Sequence, residues 1–197
     1  MASTPAELEA LRKDGRSLVD RYFRVEDPTA IEHEGTEVWL ETKLGELQLR
    51  GIIDRLDRRP DGGLAVVDYK TGRAPSPAYE QKRLGTMYFY AWLCEQVLGE
   101  RPREVRLVYV ASGKVISAEP SDQHLRYLPM RTTAIHQAIE KSCVTGKFAT
   151  SKGPLCNFCA FQRWCPEFGG DPARAAVEAP LVYGLPAADT DRPDTGN

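Results

Sequence analysis

The chain has 197 residues, of which 42% are apolar and 27% charged, with a formal net charge of -2. That length suits one domain with a sizeable core, and the near-neutral balance excludes a global positive field, so a polyanionic partner would need a local basic surface. No apolar run approaches the roughly 18 residues of a membrane helix, and no basic start leads into an apolar signal core, so a cytoplasmic protein without a membrane partner is expected.

Thr4-Pro5-Ala6-Glu7 reads as a capping box with proline at the first helical position, predicting a helix from about residue 5. Leu8, Leu11, Leu18, Val19, Tyr22 and Phe23 then recur at helical spacing. From 36 to 44 the period changes to two, with Val38, Leu40, Thr42 and Leu44 opposite Glu37, Trp39, Glu41 and Lys43, which is a strand. Gly45-Glu46 connects to a second strand over 47–57, Pro60-Asp61-Gly62-Gly63 makes a turn, and a third strand covers 64–71. Short turns between the three suggest an antiparallel meander. A helix at about 77–98 carries the stripe Leu84, Met87, Tyr88, Ala91, Cys94 and Leu98. Residues 105–111 read as a further strand. A long helical region follows, interrupted by Pro129 and stopped by Gly146. Beyond Gly169-Gly170 the Pro-, Ala- and Asp-rich sequence predicts a loosely ordered tail. The order implies an α+β fold, a mixed sheet flanked by helices.

Asp68 and Lys70, two apart on the third strand, project from one face, while Val67 and Tyr69 point to the other. Asp54 lies on the preceding strand, and pairing through the 60–63 turn would bring it close to Asp68. Two carboxylates can anchor Mg²⁺ or Mn²⁺ and leave positions for water and phosphate oxygens. A lysine beside them can hold the attacking water or stabilise developing charge, as phosphodiester hydrolysis requires. The plainer reading of Asp68 and Lys70 alone is a surface salt bridge.

Gly51-Ile52-Ile53-Asp54-Arg55-Leu56-Asp57, a turn, then Val66-Val67-Asp68-Tyr69-Lys70-Thr71-Gly72 resembles the G-x-I-D-R-x-D … D-Y-K-T-G signature of RecB-type PD-(D/E)xK nucleases. That family includes nuclease domains of recombination helicase-nucleases, stand-alone exonucleases and CRISPR adaptation nucleases. The resemblance spans about residues 18–170 and implies a restriction-endonuclease-like core. It implies that Asp54 and Asp68 are metal ligands, that the Tyr69 carbonyl adds a third, and that Lys70 is catalytic. The family's Q-x-x-x-Y motif is matched at Tyr90, while Thr86 stands at the glutamine position; as a core aromatic, Tyr90 would need no such role. The upstream metal-binding histidine of the family has no counterpart: His33 is expected in a polar loop. The chain is therefore expected to begin downstream of that element, with a protein partner supplying it.

Cys156-x2-Cys159-x5-Cys165 can converge on one soft metal centre. The resemblance implies three ligands of a [4Fe–4S] cluster, whose fourth cysteine lies far upstream in the family; here Cys143 is the nearest free candidate. Zinc completed by Cys143 or His136, or reduced thiols without metal, are the alternatives. Cys94 fits an apolar helical stripe.

Arg55 and Arg73 flank the acidic positions, and Lys82, Arg83 and Thr86 precede Tyr90. Together they are candidates for holding a DNA backbone, although each is also an ordinary solvated residue. The expected organisation is a nuclease core over 1–150, a cysteine-rich metal segment over 151–170 and a flexible tail over 171–197. The expected activity is Mg²⁺- or Mn²⁺-dependent exonucleolysis of single-stranded DNA ends in repair or recombination. The alternatives are a catalytically silent DNA-binding or scaffolding module and a CRISPR spacer-acquisition nuclease.

Overall fold

The computed structural model describes residues 4–184. Two compact units divide the chain, Met1–Ala138 and Ile139–Asn197.

In the first unit, helix α1 (Pro5–Val25) starts as the sequence predicts. The Glu7 amide donates to Thr4 Oγ1 at 3.2 Å and the Thr4 amide to Glu7 Oε2 at 3.1 Å, closing the capping box. Strands β1 (His33–Leu44), β2 (Leu47–Arg58) and β3 (Leu64–Lys70) follow, and both successive pairs are antiparallel. Next come α2 (Pro77–Arg83), α3 (Gly85–Leu98), β4 (Glu104–Tyr109) and β5 (Lys114–Ala118). The five strands form one mixed sheet in chain order. β4 runs parallel to β3, which demands a crossover, and α2 with α3 supply it. β5 returns antiparallel to β4; it is five residues long, too short for its period to stand out within what reads as the start of a helical region. The helix expected over 77–98 is two helices that meet at Leu84, whose backbone stays in the right-handed helical region (φ -71°, ψ -12°) as it closes α2 and opens α3.

Helix α3 covers one face of the sheet. Met87, Ala91, Leu93 and Cys94, all fully buried, pack with Ile53, Val66, Val105 and Leu107. The opposite face is smaller: Val67, Val108 and Val110 meet Leu18, Tyr22 and Val25 of α1. Most of the α1 stripe has no partner there. Leu11, Val19 and Phe23 are more than half exposed, so helical spacing alone overstated the face it buries. Helices α4 (Asp122–Arg126) and α5 (Leu128–Thr145) complete the order, and the division between units falls within α5.

The second unit contains three short 3-10 turns, Pro154–Phe158, Gln162–Trp164 and Pro166–Phe168. Residues expected to begin a loose tail instead form α6 (Pro172–Tyr183), capped by Asp171, whose side chain accepts from the Ala173 amide at 3.0 Å. An Asp-Pro pair is a helix start, which the composition of the whole tail masked. The remainder of the expected tail, 185–197, lies outside the described residues. Among the described residues no helix is long and apolar enough to cross a membrane.

Candidate active site

The candidate site begins with a break in strand periodicity. Ile53 packs with Leu40 and Leu93 on the α3 face, yet Arg55, two residues on, bonds Glu26 at the end of α1 on the other face. In an uninterrupted strand the two would share a face. β1 inverts at the same level: Val38 joins the α3-side core, while Thr36 stands opposite Arg55. Between Thr36 and Val38, Glu37 has φ +50°, the one positive φ outside glycine among the described residues. Such backbone costs about 1–3 kcal/mol and collects at functional sites. Asp54 sits at this inversion. The β2–β3 pairing runs from Arg58↔Leu64 to Arg55↔Val67, and just beyond it the Tyr69 amide donates to Asp54 Oδ2 at 2.8 Å. A carboxylate thus takes the place of a backbone acceptor where the two strands part.

Asp68 is 5% exposed. The Lys70 ammonium lies 2.5 Å from its buried Oδ2, and among the described residues no other donor reaches that oxygen. Burial raises the Asp68 pKa; Lys70 opposes the rise and the charge of Asp54 adds to it. Burial works to lower the Lys70 pKa, but Asp68 and Asp54 outweigh it and the ammonium is held above its ordinary value. Tyr90 is likewise raised, by burial and then by Asp68 and Asp54, so its hydroxyl stays protonated beside them. The four groups expected at the centre are therefore brought together.

Gly51 explains how Tyr90 approaches. A Cβ at that position would stand 2.8 Å from Leu93 Cδ1 and 2.9 Å from Tyr90 Cε1, so only glycine lets α3 settle this closely on β2. Gly51→Ala is expected to push the Tyr90 ring aside and to lower stability by about 1–3 kcal/mol, as overpacking does. Thermal unfolding would show it; an unchanged melting temperature would mean that both side chains move at no cost.

A cleft of about 420 Å³ opens beside Asp68 and Lys70, lined also by Arg73, Arg83 and Thr86. Lys82 faces a neighbouring groove instead, to which Thr86 also contributes. Arg55 is corrected: it is buried and donates to Asp57 at 2.7 and 2.9 Å, to Glu26 at 3.0 and 3.1 Å, and to the Tyr69 hydroxyl. With its donors committed on the α1 face it is no phosphate contact. Tyr69 also donates from its hydroxyl to Glu26 at 2.7 Å, while its backbone amide bonds Asp54. Sequence reasoning missed Glu26; the signal available was the Arg-x-Asp of residues 55–57, a buried cation in need of a second acid. His33, expected in a loop, is the first residue of β1 opposite Asp57, and lines a hollow shared with Asp54 and Tyr69.

The family model of the PD-(D/E)XK nuclease superfamily matches residues 2–166, the segment that contains this whole arrangement. The chain belongs to the PD-(D/E)XK nuclease superfamily. No curated protein matches the sequence significantly. Among solved structures the chain is similar to that of SSO0001, at 17% identity over 84% of this chain and 72% of that one, with a TM-score of 0.44.

Nucleases of this superfamily use divalent metals, and the donor set here fits one. Two close carboxylates, one with a buried oxygen whose one donor among the described residues is the Lys70 ammonium, suit an ion such as Mg²⁺ that takes one or two carboxylates and keeps several waters. Among the described residues no three His, Cys, Asp or Glu side chains gather into a metal-binding group. The cysteines form no such group either. Cys156, Cys159 and Cys165 are free thiols in successive turns, and Cys156 Sγ accepts from the Gly153 amide at 3.3 Å. The segment is organised around Trp164, which is buried and donates to Glu178 Oε2 at 2.8 Å. Cys143 is exposed, and Cys94 is buried with its thiol pushed up to about 12 by burial, an inert core residue as its stripe suggests.

Proposed function

We propose that this nuclease is a RecB-type enzyme that hydrolyses DNA with Mg²⁺ or Mn²⁺, exonucleolytically and from single-stranded ends, in repair or recombination. The observation that carries the reading is the buried Asp68 carboxylate, paired with Lys70 and within electrostatic reach of Asp54. Asp54 and Asp68 are the side chains that would hold the ion, with the Tyr69 carbonyl as a third oxygen. A bound divalent ion supplies a polarised phosphoryl oxygen and a more acidic water. Lys70, held protonated by its acidic neighbours, places positive charge where the phosphorus centre gains negative charge. Tyr90 offers a hydroxyl donor on the same side. Arg73 and Arg83, which line the cleft without a carboxylate partner among the described residues, hold the flanking phosphates in the sequence-independent mode.

The Cys156-x2-Cys159-x5-Cys165 spacing supports a [4Fe–4S] reading, with zinc as the alternative. The sulfurs are not gathered, so no step of the hydrolysis is drawn through a cluster. An iron assay with an anaerobic visible spectrum separates the two metals.

The function is tested by incubating end-labelled single-stranded and duplex DNA with the protein in Mn²⁺, Mg²⁺ or EDTA. Progressive shortening of the single strand, lost in EDTA, is the expected outcome. Intact DNA in every metal would sink the nuclease reading and favour a silent DNA-binding module.

A further inference from the structure

Next to the catalytic cleft lies a second, larger groove of about 630 Å³ between the α2–α3 segment and the α4–α5 segment. Its volume falls within the range of about 300–1,000 Å³ common to organic-ligand clefts. Thr86 lines both, so the two adjoin at α3. Three features define its chemistry. One wall is a rigid aromatic pair: Tyr88 and His124 stack with ring centroids 4.0 Å apart and planes 10° from parallel. His124 is fixed further by Ser121, whose amide lies 3.3 Å and whose hydroxyl 3.0 Å from Nδ1. Beside the pair, Tyr127 lines the groove with 55% of its surface exposed, a free aromatic surface at the end of α4.

The charge is one-sided. Lys82 and Arg131 line the groove, no carboxylate does, and neither cation has an acidic partner among the described residues. This contrasts with the cavity on the other side of α4, where Arg101 is tied to Glu95 at 2.7 Å and to Asp122 at 2.5 Å. Cations left free beside a half-exposed aromatic, adjoining the cleft of the proposed phosphodiester-cleaving site, match a single nucleic-acid strand. Its phosphates meet the cations and its bases stack on the ring, a combination that tolerates any sequence.

We propose that this groove is a subsite for unstacked nucleobases of the single DNA strand on one side of the scissile phosphate. Tyr127 is the stacking surface, and Lys82 and Arg131 are the phosphate contacts. The proposal rests on the nuclease reading for its substrate, but it is tested by binding without metal, so the two can fail separately.

The experiment measures fluorescence anisotropy of a labelled dT12 strand and of a strand of the same length with abasic sites in place of its bases. Both are titrated with the full chain in EDTA, with Tyr127→Ala and Tyr127→Phe in parallel. The parent is expected to bind dT12 about tenfold tighter than the abasic strand, as stacking of one base allows. Tyr127→Ala should erase that preference while leaving abasic binding unchanged, and Tyr127→Phe should restore it. Equal affinity of the parent for both strands overturns the proposal, as does a preference that survives Tyr127→Ala or an absence of DNA binding. Stacking-dependent binding by a protein that cleaves nothing in Mn²⁺ supports the groove and overturns only the nuclease reading.

Discussion

Asp68→Ala is expected to abolish metal-dependent cleavage of DNA, lowering single-turnover rates by about a thousandfold or more. The size follows from the chemistry: an ion at a phosphoryl group stabilises the transition state by several kcal/mol, and about 1.4 kcal/mol is a factor of ten. Asp68 is the better test of the two acids because Asp54 also organises the backbone through Tyr69. Lys70→Ala is expected to lose turnover as well but to keep Mn²⁺ binding, since the lysine contributes charge and no ligand. End-labelled strand cleavage together with Mn²⁺ binding followed by electron paramagnetic resonance separates the two defects. If both variants digest DNA like the parent, the site lies elsewhere.

Arg55→Met is expected to destabilise the first unit by about 3–5 kcal/mol, the usual cost of removing one member of a buried ion pair. The arginine side chain is 7% exposed, Glu26 11% and Asp57 9%, so the substitution leaves two carboxylates out of water without the cation that bonds them, and only the more distant charge of Arg106 acts on Glu26. A native protein has only about 5–15 kcal/mol of stability in all, and urea unfolding reads the loss directly. The same cluster sets an acid limit. Burial alone would raise the Glu26 pKa, but Arg55 and Tyr69 outweigh it and hold the carboxyl below its ordinary value. A group depressed in the folded state stabilises above its unfolded pKa and ceases to do so as the pH falls through the folded one. Parent stability should therefore fall over that acidic window, and Glu26→Gln, which cannot titrate, should show a flatter profile there.

What could be read from the sequence divides along the range of the interaction. The capping box at Thr4, the turn at 60–63 and the three antiparallel strands depend on neighbours within a few residues, and they stand as expected. The short separation of Asp54 from the end of β3 was legible because a tight turn fixes the register. Arg55 was misjudged because its partner is 29 residues away at the end of α1, and nothing local marks a cation as buried. The groove beside α3 could not be read at all. It joins Lys82, Tyr88, Tyr127 and Arg131 from separate helices, a meeting decided by how the helices pack. The α1 stripe erred the other way, since helical spacing shows which side of a helix is apolar and not whether anything covers it.

The inversion at Glu37 and Asp54 has a consequence for recombining this chain with others. Two adjacent strands change faces together, so residues 35–38 and 53–56 are inherited as one cassette. A chimera that took β2 from this protein and β1 from a regularly alternating sheet would have one strand that switches sides and one that does not. Either Asp54 would leave its place beside Asp68 and Tyr69 or Arg55 would lose its acids. Exchange points between related sheets therefore belong outside the hairpin, before His33 or after Arg58.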